Sequence, residues 1–288
     1  MTDIAALEAH RQHATTASGP ISYLDIGQGR PAVFLHGIVT NGLLWRNVIP
    51  AVAAERRCIV VDLPGHGATP PAAETSDVSL TGLATRVVEL CNRLDLDGFD
   101  LIGNDTGGAV AQIVAAKLSD RLATATFTSC DTEGNCPPKL FIPISLASRP
   151  ALLGALGPHI AKRRNLIRLL LVSGHEHIGR LPDEIVDAYG KPVLGTPHAA
   201  RAFGRLIGAI ANDDLVAVRP QLGQLKAPTM IVWGTRDVFF NLRYARKLAD
   251  LIPGTTDLHT LDGARMHFPD YRADEFLPLL QKHWAAHG

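Results

Sequence analysis

Short apolar runs alternate with amphipathic segments along most of the chain. The apolar runs predict buried strands at residues 21–26, 31–35, 57–61, 99–102, 122–129, 229–233 and 256–261. Apolar residues spaced three to four apart predict helices between them, at residues 43–54, 80–94, 106–116, 243–251 and 274–284. Strands that alternate with helices in this way predict an α/β fold with a mostly parallel, doubly wound sheet. The polar residues 1–13 are expected to form a loose lead-in.

The strand pattern stops after residue 130 and returns only near residue 229. Helical segments interrupted by proline and glycine occupy the stretch between, at residues 140–146, 166–172, 183–189 and 199–211. We therefore predict a core of residues 1–131 and 214–288, interrupted by a helical cap of residues 132–213.

The composition narrows the class of partner. Of the 288 residues, 46% are hydrophobic and 19% are charged, which is typical of a chain with a large core. The 28 basic and 28 acidic residues give a formal net charge of zero, which argues against nucleic acid or a membrane as the main partner. We expect a small organic molecule, apolar to moderately polar, as the partner, and the sequence is compatible with a homodimer.

The spacing of the cysteines bears on metal binding, and the apolar pattern of the chain bears on its cellular location. The four cysteines have no CxxC or metal-binding spacing, and Cys58 and Cys91 lie in apolar runs that predict buried thiols. The first residues lack the basic-then-apolar pattern of a signal peptide, and no apolar run reaches the ~18 residues of a membrane span. We expect a cytoplasmic protein that uses no metal and no organic cofactor.

Residues 99–116 put a carboxylate at a sharp turn between a strand and a helix. Residues 103–107 have the G-x-nucleophile-x-G spacing of a nucleophile elbow, in which glycines permit a cramped turn that exposes the central side chain. Taken alone, the segment also fits a simple tight turn or a phosphate-binding loop. It lacks the lysine of a P-loop, and its glycine spacing differs from the dinucleotide-binding pattern. Asp105 stands where most elbows carry serine.

Four landmarks together resemble the α/β-hydrolase superfamily over nearly the whole chain. In chain order they are His36-Gly37, residues 62–67, the elbow around Asp105, and residues 233–237 with the late His267. A carboxylate at the elbow resembles the branch that contains haloalkane dehalogenases and epoxide hydrolases, and residues 44–50 are especially similar to haloalkane dehalogenases. The resemblance implies an α/β-hydrolase fold with an inserted helical cap.

The nucleophile itself indicates the reaction. Attack by a carboxylate on an ester or amide would give an activated anhydride, whereas attack on a saturated carbon gives an ordinary alkyl ester. Asp105 therefore predicts a substrate with an epoxide or a carbon–halogen bond. The ester must then be hydrolysed by water, for which His267 is the expected base because the family's histidine follows the final strand. Hydrolysis should fall as His267 is protonated, near the ordinary histidine pKa of ~6.5.

Two carboxylates are candidates for orienting His267. Asp237 follows the strand that ends at residue 234, the commonest place in the superfamily, and we favour it. Asp131 follows the preceding core strand, where some dehalogenases keep their acid, and it could instead cap a local turn. The backbone N–H groups of Ile38 and Thr106 are expected to form the oxyanion hole.

The chain departs from both families at positions that touch the leaving group. Haloalkane dehalogenases usually hold the halide with tryptophan after the nucleophile and with asparagine after His-Gly or a cap tryptophan, but this chain has Thr106 and Ile38 and no tryptophan in the insertion. Epoxide hydrolases typically use two cap tyrosines, whereas the insertion has only Tyr189, for which packing competes with proton donation. The cap histidines could donate protons instead: His175, His177 and His198.

The sequence therefore favours a hydrolase that opens an alkyl electrophile through an aspartyl ester. An alternative is a non-hydrolytic protein of the same fold, either a lyase or cyclase that uses Asp105 as acid or base, or a binding protein. A serine-type esterase is disfavoured, because the adjacent Thr106 would point away from the apex of the turn. The fold alone does not distinguish these three hypotheses about function, since one fold supports many reactions.

Overall fold

A computed structural model describes residues 3–287, and its centre is one eight-stranded sheet. The strands are β1 (Arg11–Thr16), β2 (Gly19–Ile26), β3 (Arg30–Leu35), β4 (Arg56–Asp62), β5 (Phe99–Asp105), β6 (Leu122–Cys130), β7 (Thr229–Gly234) and β8 (Thr255–Leu261). Their order is β1-β2-β4-β3-β5-β6-β7-β8. Pairs β1–β2 and β2–β4 are antiparallel, and the other pairs are parallel. This arrangement confirms the predicted α/β class.

Helices cover both faces of the sheet and fill the long insertion. They are α1 (Ile4–Glu8), α2 (Ile49–Val52), α3 (Leu80–Arg93), α4 (Thr106–Lys117), α5 (Ile142–Ala147), α6 (Pro150–Ala161), α7 (Arg164–Leu171), α8 (Asp183–Leu194), α9 (Pro197–Ala209), α10 (Asn212–Leu222), α11 (Leu242–Leu251), α12 (Phe268–Tyr271) and α13 (Ala273–His287). Short 3₁₀ turns lie at Gly42–Trp45, Ser119–Arg121, Lys139–Phe141 and Ile178–Arg180.

The central predicted strands coincide with apolar runs because their residues are buried on both faces. Every residue of β5 and β7 is buried, as expected for central parallel strands between helix layers. The predicted helix at residues 43–54 instead divides into a 3₁₀ turn and the short α2.

The predicted loose lead-in at residues 1–13 is wrong for the part that the structure describes. Asp3 caps α1 by accepting from two backbone N–H groups, and β1 pairs antiparallel with β2. β1 lies at the sheet edge and five of its six residues are polar, so it has little of the apolar signal on which the prediction depended. Residues 1 and 2 lie outside the described part.

Between Cys130 and Thr229 the described chain forms helices and turns without a β-strand. The last of these helices, α10, starts inside the predicted cap but packs against α4 of the core. Within residues 3–287, no single helix has the length and hydropathy of a membrane span; one sharply bent pair, Lys139–Ala147 with Pro150–Ala161, meets both criteria jointly.

The parallel strands bring the predicted site residues to one edge of the sheet. Ile38 follows β3, Asp105 ends β5, Asp131 follows β6, Asp237 follows β7 and His267 follows β8. Because the carboxyl ends of parallel strands meet at the same edge, this is where such folds place their ligands.

Candidate active site

Asp105 occupies a strained turn between β5 and α4. Its φ of 56° and ψ of −132° are unusual for a residue other than glycine, and its side chain is buried. Gly37 permits the close approach of the neighbouring loop, since a Cβ on Gly37 would lie 2.1 Å from Oδ2 of Asp105. The local backbone therefore holds the carboxylate in one place.

Two backbone N–H groups stabilise the Asp105 carboxylate. The N–H of Ile38 donates to Oδ2 at 3.0 Å, and the N–H of Thr106 also donates to the carboxylate. These are the two donors that the sequence predicts for an oxyanion hole. His36 keeps the loop in place by accepting from the Leu63 N–H at 2.9 Å, while its Nδ1 lies 2.7 Å from the Gly37 carbonyl.

Three buried carboxyl groups share this end of the sheet. Burial raises the pKa of Asp105 well above its ordinary value, and the charges of Asp131 and Asp237 raise it further. Burial also raises the pKa of Asp131 to about 7 and that of Asp237 to about 6. Protons are therefore shared among these groups near neutral pH.

Hydrogen bonding indicates which group keeps a proton. Asp105 accepts from two N–H groups, which favour its ionised form. Asp131 accepts only from side chains, the Thr106 hydroxyl at 3.3 Å and the thiol of Cys136, a weak donor. Asp131 is consequently the better place for a proton than Asp105.

Replacing Asp131 with asparagine is expected to stabilise the fold at pH 8. The native carboxyl has its pKa raised to about 7, so the native state loses stability as pH rises through that value. Asp131→Asn removes this penalty and should raise the free energy of unfolding by about 2–4 kcal/mol at pH 8, with little change near pH 4. Urea unfolding at both values measures the difference. Asn at the exposed Asp97 is the control, and an equal gain at both pH values would contradict the prediction.

His267 lies buried after β8, with its ring between the cavity and the cap. The backbone N–H of His267 donates to the Gly174 carbonyl at 2.9 Å. Gly174 also lets the imidazole ring lie close to its backbone, since a Cβ on Gly174 would lie 2.3 Å from Nδ1 of His267. Burial lowers the pKa of His267 well below its ordinary value, and the His175 ring lowers it further. The imidazole is therefore neutral at neutral pH.

The side-chain partner of His267 in the described chain is His175, which lies in the helical stretch between β6 and β7. The two Nδ1 atoms are 3.3 Å apart, and the rings meet edge to face. His175 Nε2 lies 3.3 Å from Oδ2 of Asp270, whose Oδ1 pairs with Arg46 at 2.5 Å. Sequence reasoning included His175 among three cap histidines without distinguishing it, and it missed Asp270 and Arg46.

This chain of contacts favours one pair of tautomers. Asp270 pairs with a guanidinium, so it is an acceptor and takes the Nε2 proton of His175. His175 then has a lone pair on Nδ1, which accepts the Nδ1 proton of His267. The Leu171 carbonyl lies 3.3 Å from the same Nδ1 and could accept from it only in the opposite tautomer of His175. The remaining nitrogen of His267, Nε2, has no partner among the described residues. It is left as a free base.

The two predicted orienting acids have other partners in the described chain. Oδ1 of Asp237 accepts from the N–H groups of Phe239 and Phe240, both at 2.9 Å. Asp131 is held by Thr106, as above. Hydrogen bonds within residues 3–287 join neither carboxylate to His267.

Tyr189 lies outside the cavity that Asp105 faces. Its hydroxyl donates to Asp270 at 3.4 Å and lies 3.4 Å from Arg46, and its ring is buried. The geometry agrees with the packing alternative for Tyr189 and not with proton donation to a substrate.

Asn104 joins the end of β5 to the loop that carries His267. Its amide donates to the Met266 carbonyl at 3.0 Å and to the Thr128 hydroxyl at 2.9 Å. Since Asn104 precedes Asp105 and Met266 precedes His267, the bond to Met266 helps to set the separation of the Asp105 and His267 side chains. The motif alone does not indicate this role.

An apolar cavity of about 290 Å³ opens above Asp105. The polar side chains that line it are few: Asp105, Thr106, Asp131, Ser148, Ser173 and His267. Most of the lining is aliphatic or aromatic and comes from the insertion, and no tryptophan lines it in the described chain. The site suits a small apolar molecule with one reactive polar group.

Comparisons with known proteins agree with this architecture. A family model described as alpha/beta hydrolase fold matches residues 31–151. Haloalkane dehalogenase 2 of Mycobacterium tuberculosis is 27% identical over 239 residues, which cover 78% of this chain and 77% of that protein. A 2-hydroxy-6-oxononadienedioate/2-hydroxy-6-oxononatrienedioate hydrolase of Cupriavidus pinatubonensis is 28% identical over 236 residues, covering 80% and 78%.

Solved structures agree on the fold. An alpha/beta hydrolase fold protein from Burkholderia ambifaria superimposes with a TM-score of 0.81 at 20% identity, covering 93% of this chain and 96% of that one. The sheet order, the elbow at the end of β5 and these matches lead to one conclusion. The chain has the α/β-hydrolase fold.

Proposed function

We propose that this chain is a hydrolase that opens a small apolar alkyl electrophile through a covalent ester of Asp105, which water activated by His267 then cleaves. The observation that carries the proposal is the strained, buried Asp105 with its carboxylate held by two backbone N–H groups. A relative named a haloalkane dehalogenase supports chemistry at saturated carbon. We place this hydrolase in the cytoplasm, as the sequence predicts.

In the first step, an oxygen of ionised Asp105 attacks a saturated carbon of the substrate, and the bond from that carbon to its leaving atom breaks. A leaving epoxide oxygen must take up a proton. Asp131 lines the same cavity and keeps a proton near neutral pH, so we assign the donation to it. The product is a hydroxyalkyl ester of Asp105.

In the second step, Nε2 of His267 takes a proton from water, and the water oxygen attacks the ester carbonyl. The N–H groups of Ile38 and Thr106 donate to the resulting oxyanion. When this intermediate collapses, the departing alcohol oxygen takes the proton from His267. The carboxylic acid of Asp105 then passes its proton to Asp131, which restores the starting state.

Of the two substrate classes, an epoxide fits this cavity better than a haloalkane. Asp131 supplies an acid for the departing oxygen, whereas a halide leaves as an anion and needs donors such as indole N–H groups. The described cavity lining contains no tryptophan, and it includes two carboxyl groups, Asp105 and Asp131, which disfavour a free anion.

A second candidate is a lyase or cyclase in which Asp105 acts as an acid or base without forming an ester. The raised pKa of Asp105 favours it, because a carboxyl group that holds its proton more readily is suited to proton transfer. The two candidates differ in one observable, which is the covalent adduct.

The proposal is tested with a panel of apolar epoxides, haloalkanes and carboxylic esters, scored by diol, halide and acid release. We expect diol formation from at least one small apolar epoxide. Asp131→Asn should lower epoxide turnover by about 10²-fold or more and affect any haloalkane turnover far less, because only the epoxide needs a proton. Turnover of esters alone would overturn the proposal.

His175 is expected to act as a positioning residue for His267. His175→Phe keeps the ring packing but removes the nitrogen that accepts from His267 Nδ1. We expect kcat to fall by about 10–100-fold with little change in KM, and His175→Gln to recover part of the loss. Nitrogen-15 NMR should show the Nδ1–H tautomer of His267 in the wild type and its loss in His175→Phe.

Asp237→Asn is the matched comparison, because asparagine keeps an acceptor for the Phe239 and Phe240 N–H groups. If it slows ester hydrolysis more than His175→Phe does, Asp237 orients the base, as the sequence favours. If it has little effect, the orientation runs through His175 and Asp270.

The two half-reactions should differ in pH dependence. Alkylation by an epoxide should rise with pH as Asp105 loses its proton, because burial and the neighbouring carboxylates raise the pKa of Asp105, and should fall again above about pH 7, where Asp131, whose pKa is raised to about 7, no longer holds the proton that it donates. Hydrolysis of the ester should stay constant down to about pH 6.5 and fall only below it, because burial lowers the pKa of His267. Single-turnover kinetics separates the two, and an ester hydrolysis limb above pH 7 would contradict the role of His267.

A further inference from the structure

Away from the cavity, two histidines of the last helix converge with an aspartate of the last strand. His283 and His287 are one turn apart on α13, and their ring centroids are 5.1 Å apart. Asp257 lies on β8, which forms an edge of the sheet. One ligand atom from each of the three side chains lies within 4.8 Å of the other two.

His283 is the unusual member of this cluster. Only 3% of the residue is exposed, yet neither ring nitrogen makes a hydrogen bond of normal geometry with the described residues, although the Pro228 carbonyl is nearby. Buried polar side chains nearly always have a partner. An imidazole that faces another imidazole and a carboxylate without such a bond indicates an absent ligand.

A fourth potential ligand lies next to the cluster. His259 follows Asp257 by two residues on β8, so both side chains point to the same face of the strand. Nε2 of His259 lies 3.8 Å from Oδ1 of Asp257. The strand thus presents a carboxylate and an imidazole to the helix that carries His283 and His287.

We propose that Asp257, His283 and His287 bind one divalent transition-metal ion of the Zn²⁺ class, with His259 beside it. Two histidines four residues apart on one helix face form a chelating pair, and carboxylate with imidazole is a donor set that Zn²⁺ accepts in tetrahedral sites. The fourth position is open to water or to His259. The ion joins α13 to the edge strand β8, so its effect is on stability and not on the reaction at Asp105.

The test measures metal binding by the purified, chelator-treated chain at pH 7.5. Titration with Zn²⁺ should give one ion per chain, and Co²⁺ should produce visible absorption bands of a tetrahedral site. Asp257→Asn and His287→Ala should each weaken binding by at least about tenfold. The control His13→Ala removes an exposed histidine on β1 and should bind as the wild type does.

Thermal unfolding supplies a readout that is independent of enzyme activity. At a hundredfold excess of Zn²⁺ over Kd, the wild type should gain about 5 °C in Tm, whereas His287→Ala, which removes an exposed side chain, should gain little. Binding that is unchanged in both Asp257→Asn and His287→Ala would overturn the proposal, as would the absence of binding up to about 1 mM Zn²⁺. Neither result would bear on Asp105 or His267.

Discussion

Asp105→Ala should abolish turnover of every substrate that the wild type accepts, with a loss of about four orders of magnitude or more in kcat. The variant lacks the only atom group to which the substrate carbon becomes bonded in the proposed scheme. It also leaves the N–H groups of Ile38 and Thr106 without their acceptor, so no other carboxylate is held in the same position. Intact-protein mass analysis after incubation with substrate should detect no adduct.

A loss of activity counts only if the variant folds. The variant loses a buried carboxyl group whose ionised form is disfavoured by burial and by the nearby charges of Asp131 and Asp237, which should raise the free energy of unfolding at pH 8. It also leaves two backbone N–H groups without an acceptor, which acts in the opposite direction, so we expect the variant to stay folded. Circular dichroism and urea unfolding provide the check, with Asp97→Asn as an exposed control. If Asp105→Ala still turned over esters, the nucleophile would lie elsewhere and the esterase alternative at Thr106 would have to be reconsidered.

Most of the sheet could be predicted from the sequence because burial on both faces produces continuous apolar runs. β5 and β7 are such strands, and both lie close to their predicted positions. β1 could not be predicted in this way, since an edge strand buries only part of one face and its residues are mainly polar. Its place in the sheet depends on pairing with β2, which a local pattern does not contain.

The predicted site residues follow from the same logic, with one clear limit. Residues that follow parallel strands reach a common edge of the sheet, so the loops that hold Ile38, Asp105 and His267 could be expected to meet. The contact between His267 and His175 joins the core to the insertion across 92 positions of sequence. No spacing rule predicts such a pair, because the packing of cap against core decides which cap histidine reaches the base.

The sharpest test of the proposed reaction is a separation of its two halves. Asp105 attacks as a carboxylate and needs no base, whereas hydrolysis of the ester needs His267 to take a proton from water. In His267→Gln, alkylation should therefore proceed nearly as in the wild type, and hydrolysis should slow by about 10²–10⁴-fold. The protein should gain the mass of one epoxide molecule, or of one alkyl group from a haloalkane, on the peptide that contains Asp105.

Oxygen-18 labelling shows where the oxygen atom of the attacking water goes. In a single turnover of wild-type enzyme in labelled water, the heavy oxygen should appear in the carboxyl group of Asp105 and not in the alcohol, because water attacks the ester carbonyl and the alcohol keeps its oxygen from the original bond. The Asp105→Ala variant with the same substrate serves as the control for labelling elsewhere. If His267→Gln formed no adduct while the wild type turned over, and the label entered the product directly, Asp105 would be a general base and the covalent scheme would be wrong.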